Sequence, residues 1–145
     1  MNVLHTFFML VFVFYTAKAF LQREEFGEIF TKLVDECRDI CTDISDVSDE
    51  AIFQVRDGNF IDDIKIKKYI QCMYRVSKLM DKNLNMNETL LDEVLPKKAK
   101  ENDFKGMARN CLSEAKESDI KENHEKVYRF EKCLHDLKPE VFIMA

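Results

Sequence analysis

Apolar residues recur three or four positions apart along most of the chain, and the alternation of apolar and polar residues that is typical of strands is absent. Spacing of this kind places the apolar side chains along one face of a helix. The clearest stripe predicts a first helix and puts two cysteines on its buried face. It comprises Phe26, Ile29, Phe30, Leu33, Val34, Cys37, Ile40 and Cys41.

Five further stretches repeat this pattern and have capping or helix-terminating residues at their ends. Ser48 is a preferred N-cap for the second helix, and Gly58 suits the left-handed turn that follows it. Asn87 caps the fourth helix and Pro96 ends it, while Pro139 follows the sixth. These five predicted helices span about 48–57, 63–81, 87–95, 103–117 and 123–137.

The amino-terminal residues carry a different pattern. An unbroken apolar run, FFMLVFVFY at 7–15, precedes Ala-Lys-Ala at 17–19, which is a small-x-small cleavage pattern. The run is about half the length, roughly 20 residues, that a transmembrane helix needs. Residues 1–19 are therefore predicted to be a secretory signal peptide, and 20–145 a single extracellular domain.

Charge and histidine spacing argue against several functional classes. The formal net charge of −5 gives no support for binding to nucleic acid or to anionic membranes. No glycine-rich phosphate loop is present, and His124 and His135 are eleven positions apart. On one helix this separation is roughly 16 Å, too long for both to bind one metal ion. We therefore predict that the protein is not an enzyme and uses no cofactor or metal. His135 is predicted to lie on solvated helix surface.

The cysteine count predicts a disulfide framework. Five cysteines in a secreted chain allow two bridges and leave one thiol over. The sequence alone leaves their pairing open. They are Cys37, Cys41, Cys72, Cys111 and Cys133.

Taken together, these features resemble the insect odorant-binding proteins, the family of general-odorant and pheromone carriers. The match covers essentially the whole chain: the apolar leader, the six helical stripes, the cysteine order and the ending KPEVF at 138–142. The resemblance implies an all-α fold, a compact six-helix, disulfide-linked bundle that encloses an apolar ligand cavity.

Members of this family have six cysteines, with three residues between the second and third and eight between the fifth and sixth. By this spacing Cys72 matches the third cysteine, and Lys68 stands where the second is expected. Cys133 matches the sixth, and His124 stands where the fifth is expected. Because the family joins the second cysteine to the fifth, the two replaced positions are the partners of one bridge. The chain is therefore similar to the minus-cysteine subgroup of the family.

The same resemblance implies how the remaining cysteines pair. Cys37 and Cys111 match the first and fourth cysteines, and the family connectivity of first to third and fourth to sixth gives Cys37–Cys72 and Cys111–Cys133. Cys41 is then expected to be a buried free thiol. Two alternatives stay open: Cys41 competes with Cys37 for Cys72, or it links two chains.

The function implied by the resemblance is that of a secreted carrier, which binds small hydrophobic ligands such as odorants, pheromones or related lipophiles and transports or buffers them. The expected partner is a small apolar organic ligand, and a membrane chemoreceptor is a candidate partner. The protein is expected to be a monomer or weak dimer. Two alternatives stay open: a lipophile carrier of haemolymph, reproductive or salivary fluid, and a secreted helical signalling bundle without a cavity.

The candidate ligand-binding residues are apolar and aromatic side chains of the predicted helices and of the apolar chain end, which is expected to pack back onto the bundle. Flexible methionines suit a surface that adapts to varied ligands, and a hydroxyl of Tyr69, Tyr74 or Tyr128 is expected to orient them. The predicted lining is Phe53, Tyr69, Met73, Val76, Met80, Leu91, Met107, Val127, Phe130 and Phe142.

One further motif is a candidate modification site. Asn87-Glu88-Thr89 is a glycosylation sequon in a chain that is predicted to be secreted. An unmodified Asn87 that serves as a helix cap is the alternative.

Overall fold

The computed structural model describes residues 20–144, so the predicted signal peptide lies outside the described residues. This part of the chain contains helices and turns but no strand, which confirms the all-α fold. No helix within it is long and apolar enough to cross a membrane. The helices are α1 (Glu28–Ser45), α2 (Asp49–Arg56), α3 (Ile64–Val76), α4 (Glu88–Val94), α5 (Lys97–Glu101), α6 (Phe104–Glu117) and α7 (Asn123–Leu137), with 3-10 turns at Arg23–Glu25 and Pro139–Val141.

Side-chain caps mark the starts of four helices. The hydroxyl of Ser48 accepts a hydrogen bond from the Ala51 backbone N–H, and Asn87 accepts one from Leu90, as predicted for both. Asp63 and Asp103 cap α3 and α6 in the same way. Each cap satisfies a backbone N–H that has no partner within its own helix.

The predicted count of six helices is wrong, because a short helix, α5, separates α4 from α6. Pro96 ends α4 as predicted, but it also stands as the N-cap residue of α5. Only Ala99 is buried in α5, so its five residues carry no apolar stripe that a periodicity argument would detect.

The third helix ends at Val76 and not near Asp81. Lys78 adopts a left-handed conformation with φ of 61°, and the Met80 backbone N–H donates to the Tyr74 carbonyl at 3.0 Å. This turn still buries Leu79 and Met80, so the apolar spacing continues past the point where the helix stops.

The core lies where α1, α3, α6 and α7 pack together, with α3 between α1 and α7. The chain end joins this core, as predicted: Val141, Phe142 and Met144 are buried. The Leu21 backbone N–H donates to the Phe142 carbonyl at 2.8 Å, which ties the two ends of the domain together.

One of the two disulfide pairings implied by the family resemblance is wrong. Cys111–Cys133 is present, but Cys72 pairs with Cys41, and Cys37 is the free, buried cysteine. The prediction that Cys41 is the free thiol is therefore also wrong. Both cysteines lie one turn apart on the buried face of α1, so the helical pattern did not distinguish them; the packing of α1 on α3 brings Cys41 to Cys72.

The prediction that His135 lies on solvated helix surface is wrong, because its side chain is only 17% exposed. Its ring packs edge-on against Phe60 and Phe142, with centroids 5.5 and 5.1 Å away. Gly58, with φ of 85°, gives it room: a Cβ there would lie 2.5 Å from the imidazole Nε2.

Candidate functional site

An apolar pocket of about 80 Å³ lies between α1, α3, α4, α6, α7 and the chain end. We call it the interhelical pocket. Its walls consist almost entirely of aliphatic, aromatic and sulfur-containing side chains. They are Phe30, Leu33, Val34, Cys37, Tyr69, Ile70, Met73, Tyr74, Ser77, Leu79, Met86, Leu91, Leu95, Phe104, Ala108, Phe130, Glu131, Ile143 and Met144.

Helical spacing explains how two of the walls arise. Along α1, Phe30, Leu33, Val34 and Cys37 are three or four residues apart and share one face. On α3, residues 69, 70, 73 and 74 repeat this arrangement opposite α1. The chain end supplies Ile143 and Met144, so one part of the wall is not held in a helix.

Four of the predicted ligand-binding residues line this pocket: Tyr69, Met73, Leu91 and Phe130. The other six do not. Val127, Met80 and Phe142 are buried in the packing of the core, and Val76 and Met107 lie at its edge. Phe53 is 47% exposed on α2, where the Arg56 guanidinium lies 5.2 Å from its ring centroid.

A single carboxyl group interrupts the apolar wall. Glu131 on α7 is 3% exposed, and its Oε1 accepts a hydrogen bond from the Tyr74 hydroxyl at 2.5 Å. The second oxygen, Oε2, is buried and receives no hydrogen bond from residues 20–144. Burial raises the pKa of Glu131 from 4.5 to about 7, although the Tyr74 hydrogen bond acts in the opposite direction. The carboxyl is therefore neutral in part of the molecules near neutral pH.

Of the three tyrosines expected to offer a hydroxyl, Tyr69 and Tyr74 line the pocket, and the Tyr74 hydroxyl donates to Glu131. Burial and the neighbouring carboxyl raise the pKa of Tyr74 well above its ordinary value, so it remains a hydrogen-bond donor. Burial also raises the pKa of Tyr69, to about 12. Tyr128 does not line the pocket; its hydroxyl donates to the Ile61 carbonyl at 2.5 Å.

Sequence reasoning missed Glu131, although the sequence contains a signal for it. Val127, Glu131 and Leu134 are four and three residues apart, so the glutamate lies on the apolar stripe of α7. A carboxyl on a buried stripe is rare unless it is paired or functional. The free thiol of Cys37 was also missed as a wall residue; burial raises its pKa, so it behaves as a small apolar side chain.

Within residues 20–144, no three histidine, cysteine, aspartate or glutamate side chains are arranged so that they would hold a metal ion.

Comparisons with known proteins agree with this fold. The sequence profile of the PBP/GOBP family matches residues 23–136. Odorant Binding Protein 4 of the natural predator Chrysopa pallens is similar in structure, with a TM-score of 0.62 and 25% identity over 80% of this chain and 95% of that chain. Odorant binding protein 5 of Apis mellifera has the same fold, with a TM-score of 0.62 and 18% identity over 79% of this chain and 93% of that chain. No curated protein sequence matches significantly. Because the profile spans most of the chain, this protein belongs to the PBP/GOBP family.

Proposed function

We propose that the protein is a secreted carrier that binds small hydrophobic molecules in the interhelical pocket and transports or buffers them. The observation that carries the proposal is a pocket between the helices whose walls are apolar apart from a few polar groups, the composition expected of a small-molecule site. Family membership and the two odorant-binding neighbours support the same function. Ligand affinity would come from apolar area removed from water, at roughly 25 cal/mol per Å².

The size of the pocket requires that its walls move when larger ligands bind. For comparison, an engineered protein cavity of roughly 150 Å³ holds benzene, and the interhelical pocket measures about 80 Å³. Met73, Met86 and Met144 lie in its walls, and each has an unbranched side chain that adopts several rotamers. Ile143 and Met144 also line the pocket, and neither belongs to a helix. A carrier of this kind adapts its pocket to the ligand.

We also propose that the chain belongs to the minus-cysteine subgroup, with Lys68 and His124 at the two replaced positions. Two bridges among residues 20–144 are consistent with this. The first of them uses Cys41 where the family pattern led us to expect Cys37. Processing at residues 19–20, export from the cell and delivery to a chemoreceptor are parts of the same proposal.

Saturable binding of the fluorescent apolar probe N-phenylnaphthylamine, and its displacement by small lipophiles, tests the carrier function. Ala108→Leu adds three carbon atoms to the pocket wall on α6, and we expect it to weaken probe binding at least tenfold. Ser113→Leu adds a leucine to the exposed face of the same helix and should leave the affinity unchanged. Equal affinities for both variants would contradict binding in this pocket, and no saturable binding by the natural protein would favour a signalling bundle without a cavity.

A further inference from the structure

We infer that the interhelical pocket selects apolar ligands that carry a hydroxyl group, and that Glu131, positioned by Tyr74, binds that hydroxyl. The inference rests on the carrier function proposed above and adds to it the chemical class of the ligand.

One oxygen of Glu131 lacks a hydrogen-bond partner within residues 20–144. Tyr74 occupies Oε1 of Glu131, whereas Oε2 is buried and has no donor among residues 20–144. A buried polar atom without a partner destabilises the fold, so buried polar groups in proteins are nearly always paired. Because Glu131 belongs to the pocket wall, a ligand that enters and displaces the neighbouring wall side chains is able to supply the missing partner.

No other charged side chain of the wall competes for this carboxyl. The titratable groups of the wall are Cys37 on α1, Tyr69 and Tyr74 on α3, and Glu131 on α7; lysine, arginine and histidine do not occur in it. Burial raises the pKa of Glu131, and the hydrogen bond from Tyr74 lowers it. Among the charged and titratable groups of the wall, Glu131 is the one with a buried oxygen that lacks a hydrogen-bond partner within residues 20–144.

A hydroxyl is the ligand group that fits both protonation states of Glu131. When the carboxyl is ionised, Oε2 only accepts, so the ligand must donate. When it is protonated, Oε1 accepts from Tyr74 and the proton lies on Oε2, which then donates to the ligand. A hydroxyl donates in the first state and accepts in the second, whereas an ether or carbonyl oxygen serves only the second.

Charged ligand groups fit less well. A ligand carboxylate would face the ionised form of Glu131 with like charge. An ammonium group would lose its hydration on entering an apolar pocket, and burying an ion is far more costly than burying a hydroxyl.

Three ligands of equal heavy-atom count test the inference: n-hexanol, its isomer methyl pentyl ether, and heptane. Their affinities are measured by displacement of N-phenylnaphthylamine at pH 8.5 and pH 5.5. At pH 8.5 we expect n-hexanol to bind about tenfold more tightly than the ether, the effect of one hydrogen bond to a charged group. At pH 5.5 the preference should shrink, because the protonated Oε2 then donates to the ether oxygen.

Glu131→Met removes the carboxyl, and we expect it to abolish the preference at both pH values while heptane still binds. Asp136→Asn removes a carboxylate from the exposed part of the same helix and should retain the preference. If the natural protein binds alcohol and ether equally at pH 8.5, the inference is overturned and the carrier function stands. If the probe itself does not bind, so that there is nothing for the three ligands to displace, both the inference and the carrier function are overturned. The comparison of ligands on the natural protein decides the matter even if Glu131→Met fails to fold.

Discussion

The Lys67 Nζ lies 2.9 Å from the Glu125 Oε1, and this ion pair joins α3 to α7. The Lys67 side chain is only 8% exposed, and its ammonium also contacts Asp62 and lies 5.4 Å from the centroid of the Tyr128 ring. Each partner is the sequence neighbour of a position, 68 or 124, where the family pattern led us to expect a cysteine. Under the proposed alignment, this electrostatic link lies beside the place where a relative with six cysteines would have a covalent one.

We expect the Lys67–Glu125 pair to stabilise the fold more than an exposed pair does. Glu125→Gln should lower the free energy of unfolding by about 1 kcal/mol, since Lys67 is largely shielded from water but keeps its contact with Asp62. Asp46→Asn, which breaks the solvated pair with Lys65, is the control and should cost less than about 0.5 kcal/mol. Urea unfolding of both variants measures the difference; equal losses would show that the Lys67 pair contributes no more than a surface pair.

A third disulfide should form between positions 68 and 124. Lys68→Cys combined with His124→Cys is expected to give a bridge and to raise the melting temperature. Loop closure would add at most about 4 kcal/mol to the free energy of unfolding. Mass spectrometry of the unreduced double variant detects the bridge. Two unpaired thiols at these positions would mean that the alignment to the family pattern is wrong.

Tryptic mapping without reduction tests the pairing of Cys41 with Cys72. Cleavage after Lys32, Arg38 and Arg56 separates Cys37, in LVDECR, from Cys41, in the peptide 39–56. We expect the Cys72 peptide, YIQCMYR, to be linked to 39–56 and LVDECR to carry a free thiol. A link between YIQCMYR and LVDECR would instead support the family pairing through Cys37.

The disulfide error shows which features the sequence determines and which depend on packing. Helical spacing correctly placed both cysteines of α1 on its buried face, because burial follows from periodicity. The choice between Cys37 and Cys41 depends on how far α1 is shifted along α3, which no local pattern encodes. Relative helix position is a tertiary property, and the same limit applies to α5, whose five residues are too few to form a stripe.

The residues that line the pocket could be predicted only in part, and the reason is related. A helical stripe identifies buried residues but does not separate those that pack in the core from those that border an empty space. Met73 and Met80 occur in one predicted stripe, yet only Met73 reaches the pocket, because the chain leaves the helix after Val76. Glu131 does not follow from a search for apolar positions, because its signal is the reverse: a polar residue on a buried stripe.

The buried carboxyl should make stability depend on pH. The pKa of Glu131 is higher in the folded protein, about 7, than its ordinary value of 4.5. A group that binds its proton more tightly when folded contributes stability below about pH 4.5, and this contribution is lost as the pH rises to about 7.

Glu131→Gln isolates this effect, because the amide is similar in shape but does not titrate. Between pH 4.5 and pH 7.5 the stability of the natural protein should fall relative to this variant by up to about 3 kcal/mol. Urea unfolding of both proteins across this range provides the comparison, in which the titrations of all other groups cancel. A difference that does not change with pH would show that burial leaves the Glu131 pKa near its ordinary value.

The location of the bound ligand tests the central claim most directly, and the methionine methyl groups report it. Met73, Met86 and Met144 line the interhelical pocket, whereas Met80 and Met107 do not. Toluene is suitable as the ligand because its ring current shifts nearby methyl signals and it carries no hydroxyl. In a methyl-labelled NMR titration, we predict saturable shifts for Met73, Met86 and Met144 and little change for Met80 and Met107. Shifts confined to Met80 and Met107, or none that saturate, would contradict a carrier that binds ligands in this pocket.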